Sequence, residues 1–201
     1  MNSRNLFSAL ALAGYLAAAL VGCGRSPQVT FYTLAAMSGS DDTPRTASPC
    51  SVAVFPVTLP EFVDRPQLVR ASGGSRVDVL EFHRWAEPLK VAIPRLMAEN
   101  LSRLLKTERV SAYPQSAAND ADYRVVTDFQ RFESSGNTVI IDALWSIRTP
   151  TGVILKTGRT RLNEAISGDG QDGLVAAYSR ALTGLSREIA GALQTVCAAP
   201  R

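Results

Sequence analysis

The spacing of apolar and polar positions changes several times along this chain, and each change marks an element. From Leu6 to Val21 nearly every residue is apolar or small, and Arg4 places a positive charge ahead of the run. A run of about sixteen residues is short for a membrane-spanning helix, which needs roughly 20. It has the form of a cleavable export signal. Thr30–Leu34 is a brief β-prone segment that predicts an edge strand, with Arg25–Thr30 as a tether ahead of it. Ala35–Pro49 is rich in Ser, Asp, Thr, Gly and Pro and predicts an exposed loop. Ser51–Val57 is almost continuously apolar, as a strand buried on both faces must be.

Beyond an irregular bend at Leu59–Arg65, the segments Gln67–Ala71 and Val77–Phe82 flank Ser72-Gly73-Gly74-Ser75 and predict a hairpin. Pro88–Lys106 reads as a helix. Leu89, Ala92, Ile93, Leu96, Leu101 and Leu104 follow a 3.6-residue period, with Asn100 as one polar interruption. Pro94 predicts a kink, or else a helix that starts there. Arg109–Tyr113 is a short strand. Tyr123–Glu133, Thr138–Arg148 and Val153–Glu164 are three long strand candidates joined by turn residues, so they form an antiparallel meander. After a glycine-rich turn at Asp169–Gly173, with Asp172 as a possible cap, a second amphipathic helix spans about Gly173–Thr195.

The fold class predicted is α/β (α+β). A single domain holds a mixed, mostly antiparallel sheet with a C-terminal three-strand meander, and two amphipathic helices pack on one face. The chain divides into a signal peptide at 1–22, a lipidated cysteine with tether and exposed loop at 23–49, and a globular domain at 50–201.

Cys23 sets the address. It ends Leu20-Val21-Gly22-Cys23, in which a small residue precedes a cysteine able to take lipid. An uncleaved signal anchor, or an ordinary signal with an incidental cysteine, are the rival readings. Diacylglycerol on the thiol and a further chain on the new amine would anchor the protein firmly, since stable attachment takes more than one acyl chain. Gly24 rather than Asp follows the cysteine, which by likeness to enterobacterial sorting favours the outer membrane. Cys50 and Cys197 flank the domain, and in an oxidising compartment such a pair is a disulfide candidate. Two separate buried thiols are the alternative.

The formal net charge of +3 falls to +2 once Arg4 leaves with the signal, and no basic stripe is present, which argues against nucleic acid. Enzyme constellations are sparse. The sole histidine, His83, has no nucleophile elbow near it. With Cys23 lipidated and the other cysteines paired, a zinc ligand set is lacking. Asp169–Gly173 lacks the spacing and distal Glu of a calcium loop. No cofactor is expected and no catalytic role is assigned. Two loop segments carry the residue types that anchor interfaces: Phe62 and Arg65 in one, Arg84 and Trp85 in the other. They predict a rim where a partner or a second subunit docks. The plainer reading is that Trp85 covers one end of the core while Arg65 or Arg84 pairs with Glu61 or Glu87.

In order, the chain shows the cysteine signal, Phe31-Tyr32-Thr33-Leu34, the run Leu59-Pro60-Glu61-Phe62-Val63-Asp64-Arg65-Pro66-Gln67-Leu68-Val69, then Arg84-Trp85-Ala86-Glu87-Pro88-Leu89 and Ala98-Glu99-Asn100-Leu101. With these segments it resembles the PqiC family of ABC-type transport auxiliary lipoproteins over essentially the whole mature chain; Pro94 is the main departure. The resemblance implies a non-enzymatic lipoprotein of the outer membrane, facing the periplasm. It would work with an inner-membrane ABC transporter or permease and an MCE-domain protein of the type that forms a lipid tunnel. It would dock the tunnel's far end, as a homo-oligomer. The competing expectation is a periplasmic carrier lipoprotein that binds a lipid or small molecule in a cavity.

Overall fold

The structure is a computed structural model that describes residues 27–38 and 49–198. The signal segment and Cys23 lie outside the described residues. The strands are β1 (Thr30–Tyr32), β2 (Val52–Val54), β3 (Gln67–Gly73), β4 (Arg76–Trp85), β5 (Val110–Ala112), β6 (Tyr123–Ser135), β7 (Thr138–Arg148) and β8 (Ile154–Ala165). Helix α1 spans Leu89–Leu105 and α2 spans Gly170–Ala198. All eight strands join one curled mixed sheet, as the sequence pattern predicts for a single α+β domain.

The organising strand is β6. Along one edge it carries β7 over its full length, and β7 carries β8, so the long C-terminal ladders are antiparallel. Its other edge is shared. The start of β6 pairs in parallel with β2, which in turn pairs with β5. The end of β6 meets β3 at Ala71–Ser135, and β3 continues into the hairpin with β4. β1 closes that side by pairing in parallel with β4. The β2 segment is fully buried, which explains its unbroken apolar run.

Both helices lie against the same face. α1 packs over β2 and β5, α2 packs over β7 and β8, and the helices touch each other. The core between them holds Val52, Val54, Ile93, Leu96, Met97, Leu101, Val125, Ile141, Leu182 and Leu185. Pro94 neither starts nor breaks α1, which runs through it from a Pro88 cap. Pro94 cannot donate to the carbonyl one turn back. Buried residues on both sides of it, Leu89 and Ile93 before, Leu96 and Met97 after, hold the two parts of the helix on one core. The helix ends where Lys106 turns left-handed and donates its amide to Arg103 and Ser102. α2 begins three residues earlier and ends three later than its periodicity predicts.

A ring and a glycine match across the meander. Trp145 lies opposite Gly158, and a Cβ on Gly158 would sit 2.1 Å from the indole. The ring nitrogen donates to Thr160 Oγ1 at 2.9 Å, and that hydroxyl donates to Glu188 of α2. On the opposite face Arg159 clasps Asp142 through two hydrogen bonds of 2.8 and 2.7 Å, and Arg161 adds a third at 3.1 Å. The Arg159 bonds hold the Asp142 carboxyl well below the usual range, at about 2.

Cys50, just ahead of β2, is disulfide-bonded to Cys197 in the last turn of α2, with Cα atoms 6.1 Å apart. The bond ties the beginning of the domain to its end and closes a loop of 147 residues. In the chain-entropy account such a loop is worth at most about 5 kcal/mol. Mature protein denatured without reductant should therefore show no reactive thiol, and a paired Cys50→Ser, Cys197→Ser variant should unfold at lower denaturant. Two reactive thiols in that assay would contradict the pairing.

Asp142 yields a pH prediction. A carboxyl with a lowered folded pKa stabilises fully above its unfolded value of about 4 and loses that contribution as pH falls toward 2. An Asp142→Asn variant should be less stable at neutral pH, and its denaturation midpoint should vary less between pH 4 and 2 than the parent's.

Candidate functional site

The residues just after the tether are part of the fold. β1 begins seven residues after Cys23 and pairs with β4 as Thr30 with His83, Phe31 with Arg84 and Tyr32 with Trp85. Ala86 donates to the Tyr32 carbonyl at 2.8 Å, which extends the ladder by one bond. Tyr32 Oη lies 2.8 Å from His83 Nδ1, the rings tilted at a centroid distance of 5.7 Å. Burial, and then the Asp172 carboxylate, raise the Tyr32 hydroxyl above its ordinary pKa. His83 is thus a partner of β1. Among the described residues no group of three or more His, Cys, Asp or Glu could hold a metal ion.

Beyond β1 the segment crosses onto the helices, where two side chains clip its backbone. Ser179 Oγ accepts from the Ala35 amide at 3.1 Å, and Asn100 Oδ1 accepts from the Met37 amide at 2.9 Å. Asn100 is completely buried, and its amide nitrogen donates to Thr183 Oγ1 of α2 at 3.3 Å. Ser179 and Thr183 each donate back to the carbonyl one turn earlier. Arg103 donates to the Met37 carbonyl. Tyr32, Leu34 and Met37 pack on the core as this path is laid down. Ala35–Met37 is therefore held, where the composition predicts an exposed loop. Asn100, Ser179 and Thr183 are the residues that sequence reasoning missed. The one signal was Asn100, polar within an apolar helical stripe.

The predicted rim lies at the other side of this corner. The bend contains a turn of 3-10 helix at Glu61–Val63, with Val63 buried and Phe62 half-buried. Arg65 is exposed and Arg84 half-buried, its Nε donating to the Glu81 carbonyl at 3.1 Å. Trp85 is only 7% exposed. Its amide donates to the Pro66 carbonyl at 2.7 Å, and its ring meets Tyr178 edge-on at 6.0 Å. Tyr178 stacks on Phe132 at 4.5 Å, so an aromatic column runs from the rim to α2. Trp85 thus supports the rim from beneath, and Phe62, Arg65 and Arg84 form its accessible part. Of the two carboxylates expected to pair with Arg65 or Arg84, Glu87 pairs with Arg95.

Two voids bear on cargo binding. Behind the rim, among Leu68, Trp85, Phe132 and Tyr178, the remaining space is about 10 Å³, no more than one water needs. Between Tyr32–Ser38 and α2 runs an open groove of about 460 Å³ lined by Phe31, Met37, Val175 and Ser179. It is solvent-open, unlike the enclosed pockets that bury most of a ligand.

The profile of the ABC-type transport auxiliary lipoprotein component family matches residues 32–190. No curated protein matches the sequence. Among solved structures, an uncharacterized protein is similar at 18% identity and a TM-score of 0.67, covering 83% of this chain and 99% of its own. A Xanthomonas campestris protein is similar at 16% identity and 0.66, covering 84% of this chain and 96% of its own. At such identities these likenesses concern the fold alone.

The clip yields a stability prediction. Asn100→Ala strips the Met37 amide and Thr183 of a buried partner, so it should cost about 1–3 kcal/mol in urea unfolding. Ser179→Ala should cost less. The two effects should be non-additive because both clips hold one segment. An Asn100→Ala protein as stable as the parent would contradict the clip.

Proposed function

The chain belongs to the family of ABC-type transport auxiliary lipoprotein components, and from that premise we propose a lipid-anchored docking subunit for an envelope transport system. Cys23 carries the lipid. The anchor sits in the outer membrane and the domain faces the periplasm. The subunit performs no chemistry of its own. It holds the outer end of an MCE-domain tunnel whose inner end is served by an inner-membrane ABC transporter or permease, and it acts as a homo-oligomer. The transported species is a lipid or an organic solvent.

One observation supports this reading above the others: the chain that leaves Cys23 enters the domain seven residues on, in β1, and is clipped to it again by Ser179 and Asn100 at Ala35 and Met37. A carrier lipoprotein that only has to meet its cargo has no need of a stiff coupling between anchor and domain, whereas a docking subunit must transmit its position to a partner. The filled space behind Trp85 also disfavours the carrier alternative. The MCE partner and the outer-membrane address rest on the family resemblance of the Leu59–Val69 and Arg84–Leu89 segments and on Gly24. Phe62, Arg65 and Arg84 are the surface assigned to the partner or to a neighbouring copy.

A Cys23→Ala protein should lose acylation and fail to complement a strain lacking the parent gene. A doubly substituted Arg65→Ala, Arg84→Ala protein should melt like the parent yet retain at least tenfold less MCE partner in affinity purification from membranes. Full complementation by the first would overturn the anchor. Parental recovery of the MCE protein by the second would overturn this choice of surface.

A further inference from the structure

Val29, Phe31 and Phe82 are 39%, 62% and 44% exposed, three large apolar side chains at one sheet edge. The strand register explains why they gather. Phe31 lies opposite Arg84 in the parallel β1–β4 pair. Phe82 is two residues before Arg84, and Val29 is two before Phe31. With side chains alternating along β1, Val29 and Phe31 point away from Tyr32, which packs with Trp85 on the core, and Phe82 is exposed in the adjoining β4 stretch where the pairing with β3 shifts register. Burial on the side of Tyr32 and Trp85 is accounted for by Tyr178 and the core. Among the described residues Phe31 is left 62% exposed at the mouth of the open groove beside α2.

The chain itself limits what can cover it. Val29 is six residues from Cys23, and six fully extended residues span at most about 21 Å. A lipidated Cys23 would thus keep this patch within reach of the bilayer surface in every conformation of the tether. Aromatic side chains suit the boundary between headgroups and acyl chains. Contiguous exposed apolar surface marks an interaction site. Resting on the reading of Cys23 as the lipid anchor, we propose that Val29, Phe31 and Phe82 form a membrane-seating patch that inserts into the interfacial layer of the bilayer. The acyl chains supply attachment. The patch supplies orientation, turning a tethered domain into one with a fixed face to the membrane.

The test uses full mature lipidated protein in vesicles of phosphatidylethanolamine and phosphatidylglycerol, with or without bromine on the acyl chains. Phe31→Trp and Phe82→Trp each add a reporter to the parent, whose Trp85 and Trp145 are buried. Val153→Trp is the control, on an exposed residue beside β8 across β6 from this edge. The added emission of the two patch reporters should shift to the blue and fall at least twofold in brominated vesicles, while the control does not change. Acylation of Cys23 is checked by mass spectrometry on the same sample. Acylated protein whose Phe31→Trp and Phe82→Trp reporters are both unquenched overturns the proposal. Reporters shielded from aqueous iodide yet blind to bromine also overturn it, because a second copy or protein partner then covers the patch. Protein that reaches the membrane with an unmodified Cys23 overturns the anchor reading, and the proposal with it.

Discussion

The fold depends on a buried amide. Asn100 sits at zero exposure in α1, where an unbonded polar group would cost about 1–3 kcal/mol. It is satisfied only when the Met37 backbone approaches from one side and Thr183 of α2 from the other. Tether, first helix and second helix are therefore fixed by one side chain. Ser179 repeats the device one turn along α2 for Ala35. Apolar packing alone would leave the N-terminal segment free to slide, because apolar contact is non-directional. The hydrogen bonds set its register.

Around this clamp the remaining constraints fix the two ends of the domain. The disulfide joins the entry to β2 with the end of α2. The column Trp85–Tyr178–Phe132 carries the rim onto the same helix. α2 thus receives the tether, the rim and the chain terminus along one length. β1 and the rim both adjoin β4, so a displacement at one has a short, well-packed route to the other. A domain arranged this way suits a fixed spacer between a bilayer and a partner better than it suits a container.

Much of this was legible in the pattern of residues. The meander follows from three alternating runs broken by turn residues, and both helices follow from their apolar stripes. The cysteine pair follows from compartment and parity. What the pattern could not carry was long-range. The parallel pairing of β1 with β4 joins segments 53 residues apart, Thr30 with His83, and leaves no local mark on either. Ala35–Met37 has a loop-like composition because its bonds are made by backbone amides, which every residue has. Asn100 was visible as an interruption, but its partners lay 63 and 83 residues away. Trp85 has the composition of an interface anchor and is held in the core by Tyr178, a contact set by tertiary packing rather than residue type. Pro94 does not start the helix, which runs through it, because buried residues on both of its sides rest on one core.

The central claim is that the anchor chain becomes structure almost at once, so that membrane and domain move together. Amide hydrogen exchange of the mature protein measures this directly, residue by residue. The account predicts that the amides of Ala35 and Met37 exchange as slowly as those of β4, opening only with the domain as a whole. Exchange of these amides at the rate of an unstructured peptide, while β4 stays protected, would show a loose tether and contradict the account.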